Sequence, residues 1–128
     1  MTAKETDMTL FHIRLEMARN KEFPEGNPGR GYDIVAPLDD EGRLDVAAWK
    51  KAPTAATVTR FWDGERAALG HLVHHRSGWA FDYEPGTALD DESGYRFANH
   101  VFKPGEYVSV RDTDEEMHTF VVKSVRPA

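Results

Sequence analysis

The chain contains no cysteine among its 128 residues. This absence excludes disulfide bonds, thiolate zinc sites, iron–sulfur clusters and cysteine nucleophiles. The chain also lacks any apolar run near the roughly 18–20 residues that a membrane-spanning helix needs. Its first seven residues are polar and lack the apolar core of a signal peptide. We therefore expect a cytoplasmic protein of bacterial type that has no membrane partner.

Positive charge is scarce, because 16 lysines and arginines face 22 aspartates and glutamates, which leaves a net charge of −6. Such a balance argues against a general nucleic-acid partner. With 40% hydrophobic and 11% aromatic residues, the chain has the composition of a soluble globular protein rather than a disordered one. Its length suits one domain, so we expect a flexible tail over residues 1–7 and a single β-barrel-like domain over residues 8–128.

Ten glycines and seven prolines divide the chain into short segments. Alternating apolar residues and turn residues predict strands over 10–19, 32–38, 57–62, 71–75, 79–83, 106–111 and 117–125. Two stretches, 20–31 and 85–99, read as long loops, and long loops are often functional. One short helix is predicted near 45–52, where Asp45 is a suitable N-cap and Pro53 prevents continuation.

The segment 65–76 fits two interpretations. Apolar residues fall on one helical stripe, yet Gly70 would weaken a helix and the flanking Asp-Gly and Ser-Gly pairs are typical of hairpin turns. We favour a strand. The sum is a mainly β fold, an antiparallel barrel or roll of about seven to eight short strands in sequential hairpins with one short helix.

Histidines are clustered in the middle of the chain, at His71, His74 and His75. Neutral imidazole is the commonest metal ligand. On a strand His71 and His75 share one face. One hypothesis is therefore a metal site formed by His71, His75 and His100, with His118 as the alternative third histidine, holding zinc or another divalent metal. The alternative is a solvated sheet face. The spacing does not match the histidine pattern of cupin metal sites.

The segment 26–31 is rich in glycine and contains Arg30. Glycines let backbone amides approach a phosphate, and an arginine can bind an anion through two parallel hydrogen bonds. Pro28 removes one amide, and neither the dinucleotide nor the P-loop spacing is present. The segment is therefore either a plain surface loop or an anion-binding one.

Aromatic residues are dense in the second half of the chain. In a barrel they either fill the core or line a ligand cavity. We take four of them, together with Arg30, as candidate ligand-binding residues: Trp62, Trp79, Phe81 and Tyr83. No serine lies in a nucleophile-elbow motif, and no catalytic residue is predicted.

Residues 102–110 and 118–122 resemble the closing hairpin of small bacterial proteins of unknown function. Residues 70–74 and 94–97 are similar to other parts of the same proteins. The resemblance covers most of the chain from about residue 10, and it implies a small all-β protein without a transferable activity.

The leading functional hypothesis is a non-catalytic module that binds a small molecule or a protein partner through an aromatic-lined barrel mouth, without a cofactor. The alternative is the histidine-dependent metal site, with catalysis as an option. A third hypothesis is a structural subunit of a larger assembly. We expect a monomer or a small homo-oligomer.

Overall fold

The computed structural model describes residues 9–76, 78–83, 97, 100–111 and 116–128, and the backbone of residues 92–95. The predicted tail over residues 1–7 lies outside these ranges. Among the described residues, no helix combines the length and the apolar character that crossing a membrane requires.

The described residues form eight antiparallel strands that close into one barrel. Each strand pairs with the next, and the last strand pairs with the first. The prediction of a mainly β antiparallel barrel built from sequential hairpins is confirmed. The strands are β1 (Leu10–Met17), β2 (Asn27–Pro37), β3 (Thr57–Phe61), β4 (Ala68–His75), β5 (Gly78–Tyr83), β6 (Glu92–Tyr95), β7 (Tyr107–Arg111) and β8 (Met117–Pro127).

The core follows from the alternation of side chains along the strands. In β1, Ile13, Leu15 and Met17 point inward and are buried, while the residues between them are only partly covered. The same two-residue period places the apolar residues of β2, β4, β5, β7 and β8 inside the barrel. One continuous cluster results, and its largest fully buried side chains are Tyr32, Phe81, Phe97, Phe102 and Phe120.

The predicted helix is present as α1 (Val46–Lys51), between β2 and β3. Asp45 caps it by accepting a hydrogen bond of 3.0 Å from the amide of Ala48. The indole N–H of Trp49 donates to the carbonyl oxygen of Leu72 at 2.9 Å, which attaches the helix to β4. A short 3-10 helix, Pro53–Ala55, follows where proline prevents an α-helix.

Three local predictions require correction. The loop expected over 20–31 ends at residue 26, since β2 already begins at Asn27. Within the loop expected over 85–99, residues 92–95 form β6. The hairpin expected at Asp63–Gly64 is a wider connection over residues 62–67, in which the amide of Glu65 donates to the carbonyl oxygen of Trp62.

The ambiguous segment 65–76 contains a strand, β4, as favoured. Its pairing with β3 and β5 explains why Gly70 is tolerated: a Cβ there would lie 2.5 Å from the carbonyl oxygen of Asp82 on β5. Gly70 therefore permits a close approach of two strands, which a helix would not need.

Candidate functional site

The inward-facing positions change character at one end of the barrel. Along β2 they are Ala36, Ile34 and Tyr32, all buried, and the next inward position is Arg30. On β3 the inward Val58 is followed by Arg60, and on β8 the inward Phe120 is preceded by His118. We call this end the mouth and define it by Phe23, Arg30, Arg60, Trp62 and His118.

The guanidinium of Arg30 is held in the mouth by several side chains. Its central carbon lies 4.8 Å from the ring centre of Phe23 and 5.1 Å from that of Trp62. Its Nε donates to Asp63 Oδ1 at 2.7 Å. Among the described residues, no group accepts a hydrogen bond from its two terminal nitrogens. Arg30 is thus held by two aromatic rings and one carboxylate, while its two terminal nitrogens have no acceptor among the described residues.

Asp63 is positioned in turn by Asn27, whose side-chain amide donates to Asp63 Oδ2 at 3.0 Å. The other end of the Asn27 amide accepts from the backbone N–H of Gly29 at 2.8 Å. The hydrogen bonds from Asn27 and Arg30 lower the pKa of Asp63 below its ordinary value of 3.8. Asp63 therefore stays ionised near neutral pH and holds the Nε edge of Arg30.

A second arginine, Arg60, also contacts the ring of Trp62. The central guanidinium carbon of Arg60 lies 4.0 Å from the ring centre of Trp62, and its Nη1 donates to Glu65 at 3.0 Å. His118 and Phe120 also contact the Trp62 ring edge-on, with centroid distances of 6.1 and 6.4 Å. Trp62 is therefore held in place by its contacts with two arginines, His118 and the top of the core.

A cleft of about 390 Å³ opens beside the mouth, between the β1–β2 connection and the start of β8. This volume lies at the lower end of the range for small-molecule sites, about 300–1,000 Å³. Its polar lining residues are Arg19, Asn20, Lys21, Glu22, Arg30 and His118. Three of these carry positive charge and one carries negative charge, in a protein whose net charge is −6. The lining of the cleft therefore carries more positive than negative charge, whereas the chain as a whole carries more negative charge.

A larger groove of about 740 Å³ lies on the outer face of β1 and β8. Its lining carries charges of both signs, from Glu16 and Glu25 and from Arg19 and Lys123, and it includes the exposed ring of Tyr107. None of these charges is held on two sides as Arg30 is, and such convergent, fixed groups are what distinguishes a ligand site. We therefore assign the candidate site to the cleft at the mouth.

The five ligand-binding candidates from the sequence separate into two groups. Arg30 and Trp62 meet at the mouth. Trp79, Phe81 and Tyr83 are 3%, 0% and 7% exposed and belong to the core. The alternating aromatics of β5 thus follow the core interpretation that the sequence left open.

The predicted metal ligands His71, His75 and His100 lie apart from the mouth. On β4, His71 and His75 share the outer face, and His75 is exposed. His100 packs edge-on to Phe97 at 6.3 Å, and its Nε2 is buried without a partner among the described residues. Within the described part of the chain, no three His, Asp or Glu side chains, these histidines included, are grouped to hold a metal ion.

Several residues of the site were missing from the sequence prediction. Asp63 belongs to an Asp-Gly pair, which predicts a turn and says nothing of its contact with Arg30. Phe23 and Asn27 reach the mouth because β1 and β2 are neighbours in the barrel. His118, which the sequence offered only as an alternative metal ligand, reaches it because β8 pairs with β1. The period of β8 places His118 inward, and this is the one local indication that was available.

Comparison of the chain with protein-family models, with curated proteins and with solved structures finds no match. The functional interpretation therefore depends on the geometry of the site.

Proposed function

We propose that this protein is a small binding module that takes up a small molecule, without chemical conversion, in the cleft at the barrel mouth. The observation that carries the proposal is Arg30, which lines the cleft and is held in contact with the ring of Trp62. Both groups are held by the fold before any ligand arrives, so binding loses little side-chain entropy. A flat indole and a guanidinium together offer an apolar surface and a directional polar contact.

The charge states of Asp63 and Arg30 support a binding role rather than a catalytic one for these two groups. A general acid or base works best when its pKa lies near the operating pH. The pKa of Asp63 is lowered, and its carboxylate is engaged by Arg30 and Asn27. Arginine keeps its proton at all ordinary pH values. These groups therefore serve as fixed charges and hydrogen-bonding partners.

A small-molecule ligand fits the surface better than a protein partner does. Among the described residues, the large apolar side chains that are exposed are Leu69, Tyr107 and Met117. They lie on β4, β7 and β8 and at different ends of the barrel, since Tyr107 begins β7 and Met117 pairs with the end of that strand. Isolated apolar side chains are ordinary on protein surfaces, whereas partner sites are contiguous patches.

The proposal includes a cytoplasmic setting, a monomer or small homo-oligomer, and no nucleic-acid or membrane partner. The net charge of −6 supports the absence of a nucleic-acid partner. Light scattering on the purified chain measures the oligomeric state directly, and a large assembly would favour the structural-subunit hypothesis instead.

The test is a ligand screen read by NMR on the full, isotope-labelled chain. The library contains small aromatic acids, phosphates, alcohols and amines. We expect binders to move the indole N–H resonance of Trp62 and the amides of Lys21 and Thr119. The indole resonance of Trp49, which is bonded to β4 at the other end, should stay in place.

Two variants complete the test. Trp62→Leu should abolish these shifts because the ring platform is removed. Trp49→Phe should leave them unchanged. A screen in which no compound perturbs the mouth, or in which binders cluster elsewhere, would overturn the proposal.

A further inference from the structure

We infer that the ligand of the mouth is an oxyanion, a small molecule that carries a carboxylate or a phosphate group next to a flat apolar part. This inference rests on the proposed function and adds the chemical class of the ligand. Its physical basis is the set of donors that the fold leaves unused at the edge of the cleft.

Arg30 has two donor nitrogens that are left unused at the cleft. Asp63 occupies only the Nε position, and two aromatic rings lie against the guanidinium at 4.8 and 5.1 Å. What remains is the pair of terminal nitrogens, which have no acceptor among the described residues and belong to a side chain that lines the cleft. Two such donors side by side match the two oxygens of a carboxylate or a phosphate.

The side chains that line the cleft carry more positive than negative charge. Asp63 pairs with Arg30, and Glu65 pairs with Arg60. These four groups together therefore carry no net charge. Arg19 and Lys21 then add two positive charges at the cleft, and Glu22 removes one. Among the side chains that line the cleft and the groups paired with them, an excess of one positive charge remains, and it favours an anion.

Two aromatic rings of the mouth favour a ligand that has an apolar part. The ring of Trp62 is half-buried and packs against the core on one side. Phe23 is also half-buried and packs against the core. A ligand whose anionic group contacts Arg30 therefore has aromatic surface within reach, whereas a free inorganic ion would use only the donors.

The experiment titrates four probes of similar shape into the full chain and follows the Trp62 indole and Arg30 Nε–H resonances. The probes are benzoate, phenyl phosphate, benzyl alcohol and benzylamine. We expect one or both anions to bind at least about tenfold more tightly than the alcohol and the amine. Which of the two anions binds more tightly identifies carboxylate or phosphate as the recognised group.

The variant Arg30→Gln should weaken binding of the preferred anion by about tenfold to a hundredfold. The matched control is Arg43→Gln. Arg43 is a partly exposed arginine that likewise pairs with one carboxylate, that of Glu41, but in the turn at the opposite end of the barrel. This control should bind as the original chain does.

A second measurement does not depend on the fold of the Arg30 variant. The double variant Arg19→Gln with Lys21→Gln changes two exposed side chains and should weaken anion binding severalfold. Raising the salt concentration from about 20 to about 300 mM should weaken binding of the anion and leave that of the alcohol unchanged.

The possible outcomes distinguish failure of the oxyanion inference from failure of the proposed function. If the alcohol binds at the mouth as tightly as the anions, or if anion binding ignores salt and both sets of substitutions, the oxyanion inference is overturned while the proposed function stands. If no probe and no library compound binds at the mouth, the proposed function fails as well.

Discussion

At the scale of single residues, Asp63 connects the electrostatics of the mouth to protein stability. Because folding lowers the pKa of Asp63, the folded state holds its proton less tightly than the unfolded state does. The stabilisation from the charged carboxylate is therefore present above the unfolded pKa, at about 3.9. It is lost as the pH falls through the lower pKa of the folded state.

Asn27 is the largest cause of this shift, so we expect Asn27→Ala to raise the pKa of Asp63 toward 3.8. Carboxyl resonances followed through an acid titration measure the effect. The matched control is Asn20→Ala, which likewise removes a hydrogen bond to a backbone amide, that of Phe23, but none to Asp63. An Asp63 titration that is the same in both variants would contradict this account.

Gly31 makes a second prediction at this scale. A Cβ at this position would lie 1.9 Å from the carbonyl oxygen of Leu15 and 2.8 Å from the ring of Phe61. The clash with β1 involves backbone, so Gly31→Ala should lower the free energy of unfolding by about 3 kcal/mol or more.

Gly64→Ala provides the comparison, because it meets no atom within 4 Å and only strains a backbone with φ of +81°. Its cost should be about 1–2 kcal/mol. Urea unfolding of the three proteins decides the matter, and equal losses would show that β1 can move away from Gly31.

At the scale of elements, the barrel is held unevenly. β1 pairs with β2 over eight residue pairs and with β8 over seven. Within the described residues, β6 pairs with β5 at two positions and with β7 at three. The β6 side of the barrel therefore has the fewest ladder hydrogen bonds to break in a local opening.

We expect native-state hydrogen exchange to reflect this difference. Amides of β1, β2 and β8 should exchange only on global unfolding, whereas those of β6 should exchange much earlier. Exchange measured by NMR across increasing urea separates local from global opening. Protection of β6 equal to that of β1 would mean that the short strand opens only with the whole barrel.

The elements also show which features a sequence can predict. The alternation in β1, the Asp45 cap and the hairpin of β7 and β8 are local patterns, and the structure contains all three. The strand at residues 27–31 was missed because its glycine-rich sequence is typical of a loop. Its pairing is imposed by β1 and β3, which accept Gly31 where a side chain would clash.

The site follows the same division. Arg30 and Trp62 are residue types that bind ligands, so composition alone could select them. Their partners Phe23 and Asp63 come from different connections, and the pairing of β1 with β2 and of β2 with β3 brings all four together. The three aromatics of β5 have the same residue types without the mouth position, and for this reason the sequence could not separate them from Trp62.

At the scale of the whole molecule, one continuous core joins the two ends of the barrel. Trp62 contacts Phe120 at the mouth, while Trp49 and Trp79 contact each other at 5.8 Å at the helix end. All three belong to or pack against the same cluster of buried residues. Because a closed barrel has no free edge along which it could separate, we expect both ends to unfold in one cooperative transition.

Variants that retain tryptophan at only one end of the barrel measure this directly. Trp49→Phe with Trp79→Phe leaves Trp62 as the fluorescent probe, and Trp62→Phe leaves the pair at the helix end. Each variant has its own stability, so the comparison is made within one protein, between its fluorescence and its circular dichroism. Coincident urea midpoints in both variants are expected. In the variant that keeps only Trp62, a fluorescence midpoint below the dichroism midpoint would show instead that the mouth opens separately. A ligand would then have to reorder the binding site, and this would reduce its affinity.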